Sequence, residues 1–490
     1  MQPEIPFYLE NFIGGEYVEP LGKKYLDNVN PATGEVFSMV PDSQSEDVSR
    51  AVDAAKLAFI NWRSTSAEER FKVLNKIAEL LEENLEDFAR AESQDNGKPL
   101  SLSRKMDIPR AAANFRFFAT GAMHFASESH AREGQWINYT LRQPVGIVGC
   151  ISPWNLPLYL FTWKIAPALA AGNCVIAKPS EVTPVTAFLL GKICQQAGLP
   201  AGVLNIIHGT GPACGEAIVK HPEIKAISFT GSTKAGERIA SIAAPMFKKL
   251  SLELGGKNPN IIFADCNWEK MLHSTVQSSF SNQGQICLCG SRILIEKSVY
   301  DKFKSDFIEQ IKSLKVGDPF DENNQQGAIV SQVHYDKILQ YIEIAKQEGG
   351  SILCGGQAVT LGGKNERGYF IEPTVIEGLG PGCRTNQEEI FGPVVTLQSF
   401  KNRDEALALA NASGYGLAAT IWTQDITMAS QIAEQIEAGI VWINCWLLRD
   451  LRTPFGGMKS SGTGREGGWE AMRFFTEAKN VCVEYGGGGR

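Results

Sequence analysis

No stretch of this 490-residue sequence stays apolar for long enough to cross a bilayer. The most apolar one, Ile165 to Ala177, is interrupted by Pro167, Gly172 and Asn173. No targeting signal is expected from its start either: Met1 to Phe12 carries acids and prolines where a basic segment and an apolar core would stand. Basic charge is short, 47 Lys and Arg against 54 Asp and Glu, a net charge of −7. A surface that tracks phosphates needs clustered positive charge, so nucleic acid is not an expected partner. Histidine is scarce, six in all, and none stands in a recognisable Cys/His signature. That disfavours a metal site and a cofactor-free cysteine hydrolase. The eleven cysteines are an odd number, scattered singly apart from Cys287 and Cys289. They fit reduced thiols of a cytoplasmic protein better than a disulfide framework.

What is present is ordinary globular composition, 43% hydrophobic and 21% charged. The length suits roughly two to four domains. From Ser45 to Asn96 the pattern is helical. Ser66-Ala67-Glu68-Glu69 has the form of a capping box, and Phe71, Leu74, Ile77, Ala78 and Leu81 follow on one face. Gly97-Lys98-Pro99 ends the run. From Val145 to Leu254 short apolar runs alternate with amphipathic segments. The runs are Val145–Cys150, Cys174–Ala177, Val203–Ile207, Ala226–Phe229 and Leu250–Leu254. This alternation predicts a parallel sheet covered on both faces, with ligands at the carboxyl ends of its strands. A second α/β region is expected from Ile261 to Val441, with strands at Ile293–Glu296, Val394–Phe400 and Ala418–Trp422. Glu133–Arg142 alternates like a strand and, with Asn480–Glu484, suits an arm that pairs with another subunit. Gly486–Gly489 reads as a flexible tail.

Two glycine turns stand between an expected strand and an expected helix: Phe229-Thr230-Gly231-Ser232-Thr233-Lys234-Ala235-Gly236, and Gly209-Thr210-Gly211-Pro212-Ala213-Cys214-Gly215. Such turns bring backbone N–H groups, and here the Ser232 hydroxyl, to a phosphate at the positive end of a helix. Neither fits G-x-G-x-x-G, so plain tight turns and a nucleotide site both stay open. Three side chains stand out for chemistry. Cys287 follows a glycine break in Asn282-Gln283-Gly284-Gln285-Ile286-Cys287, where a packed inert thiol is the alternative. Glu253 ends an apolar strand in Leu252-Glu253-Leu254-Gly255-Gly256-Lys257, as a core acid needing a partner or a base with raised pKa. Asn155, in Pro153-Trp154-Asn155-Leu156-Pro157, ends another strand, where an amide either caps a turn or donates to an oxyanion.

Taken together with Glu389-Ile390-Phe391-Gly392-Pro393 and Pro454-Phe455-Gly456-Gly457, these motifs occur in an order that closely resembles the NAD(P)-dependent aldehyde dehydrogenase superfamily over nearly the whole chain. The resemblance implies an α/β fold. Its parts would be a Rossmann-like NAD-binding domain (1–122 and 145–254), an α/β catalytic domain (255–455) and bridging or oligomerisation segments (123–144 and 456–490). A homodimer or homotetramer is implied too. It further implies that Cys287 attacks the aldehyde, that Asn155 with the Cys287 N–H holds the oxyanion, and that Glu253 activates water to hydrolyse the thioester. Lys178, Ser180 and Glu181 would meet the adenosine ribose. A carboxylate there repels a 2′-phosphate, which favours NAD. Ser232 would meet the pyrophosphate, and Glu389 with Phe391 the nicotinamide ribose. Ile151, Ser152, Pro153, Trp154, Gly211, Gly215, Phe229, Gly231 and Leu254 would line the rest.

In this family the helix containing Asp107-Ile108-Pro109-Arg110 and the loop Asn444-Cys445-Trp446-Leu447-Leu448-Arg449 border the substrate tunnel, with Leu156 and Trp163. Here both places offer arginine. A surface or interface ion pair is one reading; the other is a pair of guanidinium groups that bind a carboxylate bidentately. With Asn114-Phe115-Arg116-Phe117-Phe118, these residues resemble the dehydrogenases of 2-aminomuconate and 2-hydroxymuconate semialdehydes. A broad-specificity or betaine-type enzyme is the rival within the family. Arg452 is a third candidate, placed behind Arg449 by its spacing from Pro454.

Overall fold

The computed structural model describes residues 5–485; the Gly486–Gly489 tail lies outside them. The amino-terminal helical stretch is three helices, Ser45–Trp62, Ala67–Glu83 and Leu85–Asn96. The second opens with a complete capping box. The Ser66 hydroxyl accepts from the Glu69 N–H at 3.2 Å, and the Glu69 carboxylate accepts from the Ser66 N–H at 2.7 Å. Leu74, Ile77, Ala78 and Leu81 are its buried face. The third ends at Gly97 in the left-handed conformation, φ 84°, a position that glycine occupies without steric cost.

The first sheet has eight strands. Five are parallel and adjacent, in the order Leu204–Ile206, Cys174–Lys178, Ile147–Ile151, Ile224–Thr230, Lys249–Glu253. Short antiparallel strands close both edges. Cys174–Lys178 and Ile147–Ile151 are buried at every residue, as expected when helices cover both faces. The strand order runs one way from Ile147–Ile151 and the other way from Ile224–Thr230. A topological switch point therefore lies between them, and the chain leaves both strands there as Ser152–Asn155 and Gly231–Ser232.

The second sheet has seven strands, parallel except at one edge. Pro259–Ile262 lies between Arg292–Glu296 and Ala418–Trp422; Val394–Phe400 flanks the former and Ile440–Ile443 the latter. Trp136–Pro144 pairs with Thr476–Glu484 along nine residues and with Ser129–Arg132 on its other side. The two segments expected to form an arm thus pair with each other, and the outer faces of both edge strands are largely exposed.

The fully buried Arg292 ties its strand in the second sheet to the chain at Lys257 and to the helix Arg403–Asn411. Its guanidinium donates to three main-chain carbonyls, those of Lys257 at 2.9 Å, Leu409 at 2.8 Å and Ala410 at 2.8 Å. Arg292→Met is expected to cost roughly 3 kcal/mol or more, since each buried acceptor left unmet costs about 1–3 kcal/mol. A thermal unfolding midpoint unchanged from that of the parent protein would contradict this.

Candidate active site

The chain turns that leave the switch point form a cleft. A cavity of about 210 Å³ is lined by Pro153, Trp154 and Asn155 from one turn and Thr230, Gly231 and Ser232 from the next; Leu254, Cys287, Glu389 and Phe391 face them. Ser232 also lines a second cavity of about 340 Å³ with Ile151, Gly211, Gly215 and Phe229, so the two form one elongated cleft. Ser232 caps the helix Thr233–Ala243, its hydroxyl accepting from the Ala235 N–H at 3.3 Å. The positive end of that helix therefore meets the cleft where its two halves join. The buried Thr230 hydroxyl has no protein partner. Gly255 is required beside Glu389: a Cβ there would stand 2.2 Å from a carboxylate oxygen.

Cys287 follows a strained loop. Asn282, Gln283 and Gly284 all have positive φ (52°, 56° and 71°), which is costly for the first two. Side-chain hydrogen bonds fix the loop in this shape. The Asn282 amide donates to the Asn155 carbonyl at 2.9 Å and the Gln283 amide to the Ala328 carbonyl at 2.8 Å. The Asn155 amide donates to the Gln285 carbonyl at 2.9 Å, two residues before the thiol. Asn258 donates to the carbonyls of Cys287 at 2.7 Å and Cys289 at 2.9 Å. The thiol itself is partly open to the cleft. Burial by the surrounding protein, then the Glu389 and Glu253 charges, push its pKa up, while the Arg449 charge pulls it down.

Glu253 ends its strand almost wholly buried, and neither carboxylate oxygen has a partner. Burial first, and the neighbouring Glu466 carboxylate second, raise its pKa well above the ordinary carboxylate range; Lys164, Arg449 and Arg465 oppose this. Glu466 is itself fixed, accepting from Lys164 at 2.7 Å and Ser228 at 3.0 Å.

Arg449 sits between the Trp163 and Phe455 rings, 4.4 Å and 3.9 Å from their centroids, and donates to the Tyr159 hydroxyl at 2.7 Å. Its Nε and Nη2 are buried without a partner, and no carboxylate of the described residues lies within 4 Å. The Arg110 guanidinium stands 5.8 Å from the Tyr159 ring, so Tyr159 is a neighbour of both arginines. Arg452 is different: 80% exposed, it is paired with Asp450. The loop bearing Arg449 is tied to the cysteine loop, since the Trp446 indole donates to the Leu288 carbonyl at 3.0 Å.

The sites of the remaining expected residues follow from these elements. Leu156 packs with Tyr159, Leu160 and Met106. Trp163 lies beneath Arg449, as its platform. Lys178, Ser180 and Glu181 flank the second cavity and do not line it. The Glu181 carboxylate accepts from the Lys178 ammonium at 3.0 Å and the Gly211 N–H at 3.4 Å. Burial pulls its pKa upward, but Lys178 and these hydrogen bonds prevail and hold it below the usual range. The Ser152 hydroxyl is buried without a partner behind the first cavity. The sequence reading missed Tyr159, His334 and Lys337. Tyr159 was accessible from helical spacing, three residues after Leu156 and four before Trp163. His334 and Lys337 line the first cavity from the helix Gln332–Gln347, which no motif marked. The His334 ring hydrogen-bonds to the Phe391 carbonyl at 2.7 Å and, by burial, its pKa falls to about 4.

A model of the aldehyde dehydrogenase family matches residues 17–481. The chain is 51% identical over 480 residues to the 2-aminomuconic semialdehyde dehydrogenase of Mus musculus, covering 97% of this chain and 98% of that one. It is 43% identical over 482 residues to the 2-hydroxymuconic semialdehyde dehydrogenase of a Pseudomonas strain, covering 97% and 99%. The NAD+ complex of an aldehyde dehydrogenase from Bacillus cereus has a TM-score of 0.95 to it, with 39% identity and coverage of 97% and 96%. With its sheets, its cysteine loop and its carboxylate in this arrangement, the chain belongs to the aldehyde dehydrogenase family.

Proposed function

We propose that this enzyme oxidises an anionic semialdehyde of the 2-aminomuconate or 2-hydroxymuconate type to the carboxylic acid with NAD. Arg449 carries the proposal. A cation with two buried, unmet N–H groups, whose charge reaches both Cys287 and Glu253, is costly unless an anion completes it. Arg110, across Tyr159, supplies the second charge that a substrate carboxylate meets. The relatives named for these two semialdehydes support the same reading. A betaine-type substrate, being cationic, would be repelled.

The cleft fits a dinucleotide: the unpartnered Thr230 hydroxyl and the Ser232 cap lie where its two halves join, and the Glu389 carboxylate is positioned over Gly255. Ser232 would hold the pyrophosphate, and Glu389 with Phe391 the nicotinamide ribose. Ile151, Gly211, Gly215 and Phe229 would hold the adenosine half, with Glu181 ionised at its ribose and repelling a 2′-phosphate. NAD supplies the hydride acceptor.

In the reaction, the Cys287 sulfur attacks the aldehyde carbon as thiolate. The Asn155 amide and the Cys287 main-chain N–H hold the resulting oxyanion, an interaction worth roughly 3–4 kcal/mol in other enzymes. Glu253, freed of its proton, draws one from the water that cleaves the thioester. Free cysteines throughout support a reducing, cytoplasmic setting. The exposed edge strands Ser129–Arg132 and Thr476–Glu484 support a homodimer or homotetramer.

Coenzyme reduction on addition of 2-hydroxymuconate semialdehyde, followed at 340 nm, is expected and should vanish in Cys287→Ala. A purified protein that reduces no coenzyme with any aldehyde would refute the reading. Arg449→Ala should raise KM for that substrate about 10- to 100-fold, the loss of a charge-assisted hydrogen bond, and raise KM for hexanal far less, while loss of its charge beside Cys287 and Glu253 moves the pH profile of both substrates upward. Equal rises in KM for both substrates, or a preference for betaine aldehyde, would remove the anion site. Because Glu253 must lose a proton, kcat should rise with pH. Glu466→Gln removes a negative charge that holds this proton on, so the rising limb should move to lower pH. A limb that stays in place would show that Glu466 does not set the protonation of Glu253.

A further inference from the structure

Directly behind the Asn155 turn lies a cluster that the reaction does not use. Lys98, Glu92 and Asp107 are all wholly buried. The Lys98 ammonium is paired with the Asp107 carboxylate, lies 3.6 Å from Glu92, and donates to the Asn155 main-chain carbonyl at 3.0 Å. Glu92 holds the start of the helix that follows, accepting from the Leu158 N–H at 3.2 Å and the Thr186 hydroxyl at 3.0 Å. Asp107 begins the turn that leads to Arg110 one helical turn later. Two carboxyls face one cation, and one oxygen of each has no partner. Burial, and then the Asp107 charge, raise the Glu92 pKa to about 8 against the pull of Lys98.

A fully buried ammonium is expensive, and apolar residues would fill this volume more cheaply if packing were its only purpose. It also donates to the backbone of Asn155, whose side-chain amide donates to the Gln285 carbonyl and which lines the cavity together with Cys287. We propose that Lys98 is a positioning residue for the oxyanion hole: through the Asn155 carbonyl it fixes the backbone from which the Asn155 amide is aimed at Cys287. Asn282, which donates to the same carbonyl from the cysteine loop, is the partner contact on the other side. Lys98 and Asn282 together clamp that peptide between the two lobes. The inference rests on the reading of Asn155 as oxyanion donor.

The test is a double-mutant cycle in the full-length protein with 2-hydroxymuconate semialdehyde, using Lys98→Met, Asn155→Ala and the pair. Lys98→Met is expected to lower kcat about 100-fold, as for a misplacement of roughly 1 Å, while the Kd for NAD stays within twofold. In the Asn155→Ala background the same change should cost less than threefold. Equal losses in both backgrounds, or a parallel loss of NAD binding, would overturn the role of Lys98. If Asn155→Ala alone costs nothing, the reading of Asn155 fails instead. Lys98→Met combined with Asp107→Asn keeps the buried charge balanced, and the cycle is repeated on this pair should the single variant not fold. Asp95→Asn, another buried acid of the same helix that touches Asn28 and Val185, should lower the unfolding midpoint without any coupling to Asn155→Ala.

Discussion

The Asn155 peptide is where the two lobes of the molecule are locked to each other. Its carbonyl accepts from Lys98 on one side and Asn282 on the other, while its amide reaches the Gln285 carbonyl. Two of these hydrogen bonds join the first sheet's switch point to the loop that carries the thiol, and the Lys98 bond holds the Asn155 peptide from its own side. The positive φ values of Asn282 and Gln283 persist because these contacts over-determine them.

Electrostatics around this point are arranged by burial more than by pairing. Cys287, Glu253 and Glu389 all have raised pKa values, and desolvation is the first cause in each. In each case the low-dielectric surroundings disfavour the charged form. Arg449 acts against this trend at both Cys287 and Glu253. It is held by aromatic faces and a tyrosine hydroxyl, not by an acid, so its charge remains available to whatever enters. Arg452, three residues on, is quenched by Asp450 and shows the ordinary fate of a surface arginine.

Much of the fold was legible in the chain. The apolar runs at Cys174–Ala177, Val394–Phe400 and Ala418–Trp422 became strands with the same or nearly the same bounds, because continuous burial on both faces leaves a signal that needs no partner to read. The capping box at Ser66 is local chemistry and was legible for the same reason. The helical stretch from Ser45 broke into three, since Arg63 and Asn84 end helices without a glycine or proline to announce it. Gly97-Lys98-Pro99 was legible only as a stop, whereas Lys98 is buried at the site.

By itself the sequence determined the reactive residue types, one parallel-sheet region with a second α/β region, and the family, because these reside in local pattern and in motif order. Tertiary structure alone decided which arginine is unpaired, since Arg449 and Arg452 differ only in what surrounds them. It also decided that Tyr159 neighbours both Arg110 and Arg449, and that a lysine at a helix end supports a peptide 57 residues away. Burial and charge compensation are properties of neighbours in space, and neighbours in space are set by the sheet order at the switch point.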